Sequence, residues 1–326
     1  MHQLRRFVAA LTMMTLLLLS IVPVQAQQGP SGSGLSISPT LSEYTLKPGQ
    51  ADKLDITLKN VTINDITAQS FINDFKADNT TGSPQIITDT TKISPNSIRK
   101  FIIGLDDVPL RVQEQKKITL AIQIPKDTPP GAYFGVIRYK AVPAGLNAPK
   151  EGEVALSASV GTIVLITVPG NLKEQVQLSD LHIYSGRSTG TFFFSKPTDV
   201  GVEVRNLGNG FAKPFGTVEV TKLFGDKSVY TYQINNTNPR GTVLPSSSRI
   251  FKNPIKNINQ VGHYTVTASL TYGSGSDVLV LKKAFWYVPG WLVAAIGAVL
   301  LILLLLTYRA YWRYRQGVKR SYRRKG

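Results

Sequence analysis

IPKDTPPGAYFGVIRYK, residues 124–140, divides into two parts with different physics. Residues 127–131 (DTPPG) collect the Asp, Pro and Gly that turns require, and residues 132–140 then run through aromatic and β-branched side chains that favour a strand. Successive side chains of a strand point to opposite faces, so Tyr133 and Tyr139 share one face and Phe134 takes the other. Some of these rings must therefore be core. The remainder are candidates for a ligand platform, since aromatic faces are what sugars stack on, and Tyr133, Phe134 and Tyr139 are the candidate ligand-binding residues.

The same alternation of turn and strand extends outward in both directions. Residues 53–59, 66–75, 99–103, 117–124 and 154–168 read as further strands, punctuated by KPGQ (47–50), 79–84 and SPN (94–96). Beyond Val168 the scheme repeats, with strands expected at 178–184, 200–205, 216–223, 229–234, 261–270 and 278–284 and turns at NLGNG (206–210) and NPRG (238–241). No run of helical period interrupts residues 27–283, a stretch of 257 residues that exceeds one typical domain. The expectation is an all-β fold of two tandem immunoglobulin-like β-sandwiches, at 35–169 and 170–284, with 144–152 as an exposed hairpin tip. A faint internal repeat supports the pairing: a strand closes on Asn at LKN (58–60) and VRN (204–206), and Gly-x-Tyr opens a late strand at 131–133 and 262–264. The chain has no cysteine, so disulfides, thiolate metal sites and an antibody-type Cys-Trp-Cys core are excluded and stability must come from packing.

A different pattern follows. Residues 291–306, WLVAAIGAVLLILLLL, carry neither charge nor polar side chain, and the flanking residues lengthen the run to the 20 or so needed to cross about 30 Å of hydrocarbon. A single transmembrane helix is expected over 285–308. All three tryptophans, Trp286, Trp291 and Trp312, stand at its edges as membrane-interface residues, where amphipathic rings settle. The tail at 309–326 holds eight Lys and Arg and no acid, which by the positive-inside rule makes it cytoplasmic and puts the N-terminal ectodomain outside. At the other end Arg5 and Arg6 precede an apolar stretch, and Val24-Gln25-Ala26 offers small residues to a signal peptidase. A signal peptide over 1–26 and a flexible lead-in over 27–34 (QQGPSGSG) are expected, an uncleaved N-terminal anchor being the alternative.

Charge narrows the partners. Of 37 Lys and Arg, two lie in the leader and eight in the tail, leaving 27 against all 20 acids and a net +7 on the ectodomain. That excess favours anionic wall polymers such as teichoic acid, over a range of only about 8 Å at physiological salt. The tail faces membrane lipid rather than nucleic acid, because anionic headgroups are its neighbours.

No hydrolase, metalloprotease or phosphate-loop motif is present, and no catalytic, cofactor-binding or metal-binding residue is assigned. Asp180 and His182 share a strand face, Asp106-Asp107 and Asn73, Asp74 and Asp78 gather acids without calcium-loop spacing, and GSGSD (273–277) reads as a hairpin loop. No enzyme is expected.

The stretch ISPTLSEYTLKPGQADKLDITLKN (37–60), taken with residues 124–139, resembles the N-terminal domain of the WxL-interacting surface proteins of Gram-positive bacteria. That resemblance implies a signal peptide, a peptidoglycan-binding sandwich, a second sandwich that binds a partner or host, one transmembrane helix and a basic tail, an order matched here over nearly the whole chain. The expected function is that of a non-catalytic bacterial cell-surface protein engaging peptidoglycan, or another wall-associated surface protein, through its first sandwich. Two alternatives stand beside it. One is a structural stalk or chaperone-like assembly factor. The other is a sortase-processed protein, since VPGW (288–291) before an apolar span resembles a sorting signal although it lacks Leu-Pro-x-Thr-Gly.

Overall fold

The computed structural model describes residues 34–89, 91, 93–143, 159–223, 228–273 and 277–322. The leader, most of the lead-in and the expected hairpin tip at 144–152 fall outside the described residues.

In the first sandwich, β1 (Leu35–Ser38), β3 (Ala51–Asn60), β9 (Gln115–Gln123) and β7 (Ile102–Ile103) form one sheet in the order β1-β3-β9-β7. The facing sheet runs β2-β11-β10-β4-β8, from β2 (Leu41–Thr45), β4 (Ile66–Asn73), β8 (Val108–Leu110), β10 (Gly131–Pro143) and β11 (Ser159–Val168). A separate hairpin pairs β5 (Phe75–Ala77) with β6 (Pro84–Ile86). Alternation sets the core: Leu54, Ile56 and Leu58 of β3 point in, as do Leu120 and Ile122 of β9, while the charged residues between them face water.

The second sandwich repeats the plan. Strands β12 (Val176–Ser185), β13 (Ser188–Thr189), β15 (Asp199–Asn206) and β18 (Ser248–Pro254) form the sheet β13-β12-β15-β18. Strands β14 (Phe192–Phe193), β16 (Phe215–Lys222), β17 (Ser228–Ile234), β19 (Gly262–Thr271) and β20 (Leu279–Tyr287) form β14-β20-β19-β16-β17. In each sandwich an early short strand crosses to pair in parallel with the last strand, β2 with β11 and β14 with β20. All other named pairs are antiparallel, with a bulge in β12 and another between β16 and β17.

A third apolar cluster joins the two cores. Phe75, Phe134, Val136 and Leu165 of the first sandwich pack on Leu244 and Phe211 of the second, with Phe134 5.1 Å from the Phe75 ring and 6.2 Å from that of Phe211. Glu43 and Lys213 close the same seam at 2.6 Å. Inside it, the N–H of Ala132 donates to the Asn209 carbonyl.

Three expectations need correction. Residues 99–103 are strand only at Ile102–Ile103, the rest turning into the core at Phe101. Strand Ser248–Pro254 is an addition to the expected strands, because Arg249, Lys252 and Asn253 dilute its apolar signal in the sequence. The last strand does not stop at Ala284: β20 continues to Tyr287 and buries Phe285 completely, so that ring belongs to the sandwich core and not to a membrane belt. Helix α1 then starts at Gly290 and runs to Tyr322, well into the basic segment, and its stretch Gly290–Arg313 has a mean hydropathy of 2.6, long and apolar enough to cross a membrane.

Candidate functional site

Tyr139 lies fully buried in the first core and Phe134 is 8% exposed in the seam between sandwiches. Neither offers a ring face to a ligand. Tyr133 is half-buried, edge-on to Phe101 at 5.0 Å, and lines a cavity of about 420 Å³ with Lys100, Asp127 and Thr128. Its hydroxyl, however, donates to the Pro129 carbonyl at 3.0 Å. In the second sandwich Tyr264, third residue of the other Gly-x-Tyr, donates to the Gln260 carbonyl at 2.6 Å, again four residues back. These are tyrosine corners, which pin the crossover before a late strand.

The two strand-closing asparagines match in the same way. Asn60 Nδ2 donates to the carbonyls of Asn64 and Arg111 at 2.8 and 2.9 Å, and its Oδ1 accepts from the Thr62 N–H at 2.9 Å. Asn206 Nδ2 donates to those of Gly210 and Val243 at 2.8 and 3.0 Å, and its Oδ1 accepts from the Gly208 N–H at 2.9 Å. Both amides are buried and satisfied, and both do the work of a turn the backbone alone cannot close. Asn60 and Tyr133, which lie in the stretches that carry the family resemblance, thus have structural counterparts in Asn206 and Tyr264 and serve the fold of each sandwich.

A cavity of about 690 Å³ forms a cleft where the sandwiches meet. Strand β18 forms one wall, the loop after β17 (Asn235, Asn236, Thr237) another, and the β5–β6 hairpin tip at Thr80 and Thr81 the third. The hairpin is anchored: the Ile250 N–H donates to the Thr80 carbonyl at 2.9 Å, and Gly82, at φ +71°, rests where a Cβ would meet Arg249 Cδ at 2.6 Å. Lys252 Nζ stands 4.2 Å over the Tyr184 ring, which crosses the sheet above Gly201 because that residue has no Cβ to block it. Burial, reinforced by Asp199 and Glu203, raises the Tyr184 pKa. Arg249 is stacked over Phe251 at 5.0 Å and donates to the Thr242 carbonyl at 3.1 Å, and burial lowers its pKa. The cleft thus presents hydroxyls, amides and a cation to anything polar that enters it. Its residues come from four separated stretches of chain, so no local signal marks them.

His182 sits between two carboxylates, with Nε2 2.9 Å from Glu203 and Nδ1 3.8 Å from Asp180. Asp180 in turn accepts from Lys283 Nζ at 2.7 and 3.0 Å. Burial pushes the Asp180 carboxyl up, but the Lys283 and Leu181 N–H bonds outweigh it and the net shift is downward. The group lies on the open face of β12 and β15, outside the cavities described above, and offers no enclosed place for a reacting atom. His263 stands edge-on to Trp286 at 4.9 Å. The acids weighed for calcium are used internally: Asp107 accepts from the Ser70 N–H, Asp74 from the Ser94 N–H, and Asp78 from Thr80 and Thr81. Among the described residues no three His, Asp or Glu are grouped to hold a metal.

Trp291 is 72% exposed at the start of α1, and Trp312 is 45% exposed 21 residues later, which is about 32 Å along a helix axis. Trp286 is on β20, 47% exposed.

No family model matches this chain, and neither does any curated protein. Solved structures with a similar chain path include the class 5 fimbriae chaperone CfaA (14% identity, 78% of this chain and 99% of that one, TM-score 0.37). A chain from a chaperone–tip adhesin complex of CFA/I fimbriae gives 12%, 78%, 99% and 0.39 in the same measures. The E. coli chaperone DraB gives 16%, 77%, 96% and 0.33. Such values speak to fold alone, and the two-sandwich assignment rests on the strand pairings themselves.

Proposed function

We propose that this chain is a non-catalytic, membrane-tethered surface protein of a bacterium, anchored by α1, whose ectodomain binds an anionic polar polymer of the wall, peptidoglycan or teichoic acid, in the cleft between its sandwiches. The supporting observation is the cleft itself: about 690 Å³ walled by Thr81, Asn235, Asn236 and Lys252, in an ectodomain with a net +7 charge. Hydroxyls, amides and a cation are the groups that pair with sugar hydroxyls and carboxylates or phosphates. A polypeptide added as a strand at β18 is disfavoured there, since the outward N–H groups of Ser248 and Ile250 already donate to Asn79 and Thr80.

The test is co-sedimentation of the detergent-solubilised full chain with insoluble peptidoglycan, with and without teichoic acid, across a salt series. Retention at high salt that falls severalfold in Lys252→Glu and not in Lys100→Glu supports the cleft. Equal loss in both variants would show attraction by overall charge. Absence of retention would leave the stalk or assembly factor. The full chain is required because a fragment ending at Lys283 would cut β20 before the core residue Phe285.

A further inference from the structure

The Phe192-Phe193-Phe194 run divides by strand alternation: Phe193 is 5% exposed and packs on Phe285 at 6.1 Å, whereas Phe192 and Phe194 are 52% and 56% exposed, 5.2 Å apart at 71°. Adjacent exposed aromatics this large are uncommon on a surface that meets only water. They lie at the foot of the second sandwich beside Trp286, the cross-strand partner of Phe192, and the exposed Leu223 and Val261 belong to the same end. Lys196 and Lys222 are also at this end.

The foot is stitched to the start of α1. The Trp286, Val288 and Gly290 N–H groups donate to the carbonyls of Thr191, Phe193 and Phe194 at 2.7, 2.9 and 3.1 Å. Gly290 opens the helix, so its N–H has no partner within it, and Pro289 before it has no N–H to satisfy. The Phe194 carbonyl supplies what the helix lacks at the depth where water runs out. Only Val288 and Pro289 separate β20 from α1, and the Phe194 carbonyl is held 3.1 Å from the first helix N–H, well within the roughly 5–8 Å depth of the headgroup layer. A helix that begins at the hydrocarbon edge therefore brings this end of the sandwich into the headgroups.

We propose that the foot of the second sandwich is an interfacial membrane anchor: Phe192 and Phe194 insert beside α1 into the headgroup layer of a phospholipid bilayer and hold the ectodomain in one orientation above it. The exposed rings supply apolar area at interfacial depth and the lysines face lipid phosphates. This rests on the reading that α1 spans the bilayer.

Because the chain has no cysteine, single nitroxide labels report on it without background. The full chain is reconstituted in phosphatidylcholine–phosphatidylglycerol vesicles with one label at Ser195→Cys, Gly297→Cys or Ile63→Cys, and collision with oxygen and with a water-soluble nickel chelate is compared. The oxygen-to-nickel ratio at 195 is expected severalfold above that at 63, on the first sandwich, and below that at 297. A ratio at 195 equal to that at 63, with 297 in hydrocarbon, overturns the anchor and leaves the span intact. An aqueous 297 overturns both. Adding Phe192→Ser and Phe194→Ser, which spare the core ring Phe193, is expected to drop the ratio at 195 to the level at 63 with the thermal unfolding midpoint unchanged. A ratio that stays high would show that the two rings do not carry the insertion.

Discussion

Asn60 and Asn206 show how much one side chain can fix. Each bonds two or more backbone groups, so removing either amide takes away a donor to carbonyls such as those of Arg111 or Val243 and the acceptor of the Thr62 or Gly208 N–H. Asn60→Ala and Asn206→Ala are expected to cost about 1–3 kcal/mol each, read as a lower urea midpoint, with the loss assigned to the sandwich carrying the change. Tyr139 is the contrary case. Its ring fills the core, but its hydroxyl has no hydrogen-bond partner among the described residues, and burial, with Asp106 and Asp107 nearby, pushes its pKa up to about 12. Tyr139→Phe removes an unsatisfied buried polar atom and keeps the ring, so equilibrium unfolding should show stability unchanged or raised. One of the three rings that the sequence offers as a sugar platform in residues 124–140 is thus a packing element.

At the scale of elements, the β5–β6 hairpin reaches from the first sandwich onto the second. It caps the β18 edge through the Thr80 carbonyl and covers Arg249 with Gly82. A side chain at position 82 meets both a positive φ and the Arg249 stem. Gly82→Val should therefore lift the hairpin tip and speed hydrogen exchange of the Ile250 amide, with core amides of the first sandwich unaffected. The β20–α1 junction is equally instructive. Val280, Lys282 and Ala284 alternate with Leu281, Lys283 and Phe285 as in any strand, and the sequence FWYVPGW then reads as a continuous apolar approach to the helix. Hydrophobicity alone cannot divide it. The division comes from strand pairing: Gly262, His263 and Tyr264 of β19 on one side and Phe192 and Phe193 of β14 on the other extend the sheet to Tyr287, three residues beyond Ala284.

For the whole molecule, the seam makes one body of two sandwiches. Leu244, 6% exposed, is buried in one cluster with Phe134, Val136 and Leu165, and Leu244→Ala is expected to cost about 2 kcal/mol and to split a single calorimetric transition into two. Glu43→Gln at the exposed rim should cost under about 1 kcal/mol by the same measurement, since solvent screens that pair. Acid acts on the whole chain. Asp55, held by hydrogen bonds from Lys117 and Thr119, Asp78 by Thr81, Asp89 by Thr91, and Asp180 all have carboxyl pKa values below the usual range. A depressed folded pKa adds stability above the unfolded value of about 4 and loses it as pH falls through the folded values. The urea midpoint should accordingly hold down to about pH 4 and decline below it, and Asp180→Asn should shallow that decline.

Much of this was determined by the chain alone, for a physical reason. Turn residues, strand alternation and an uncharged apolar run are local in sequence, so residues 127–140, the repeated Asn and Gly-x-Tyr, and residues 291–306 suffice for two sandwiches and an apolar helix. What required the tertiary structure is every property that depends on contact between distant stretches. Which of Tyr133, Phe134 and Tyr139 keeps an exposed face is decided by the opposing sheet and by Leu244, more than a hundred residues away. The cleft exists because Thr80, Tyr184, Asn235 and Lys252 are brought together across the seam, and the aromatic foot because β14 pairs in parallel with the end of β20. Periodicity reports which face of a strand is apolar, and only the folded neighbours decide whether that face meets core, the second sandwich or the solvent.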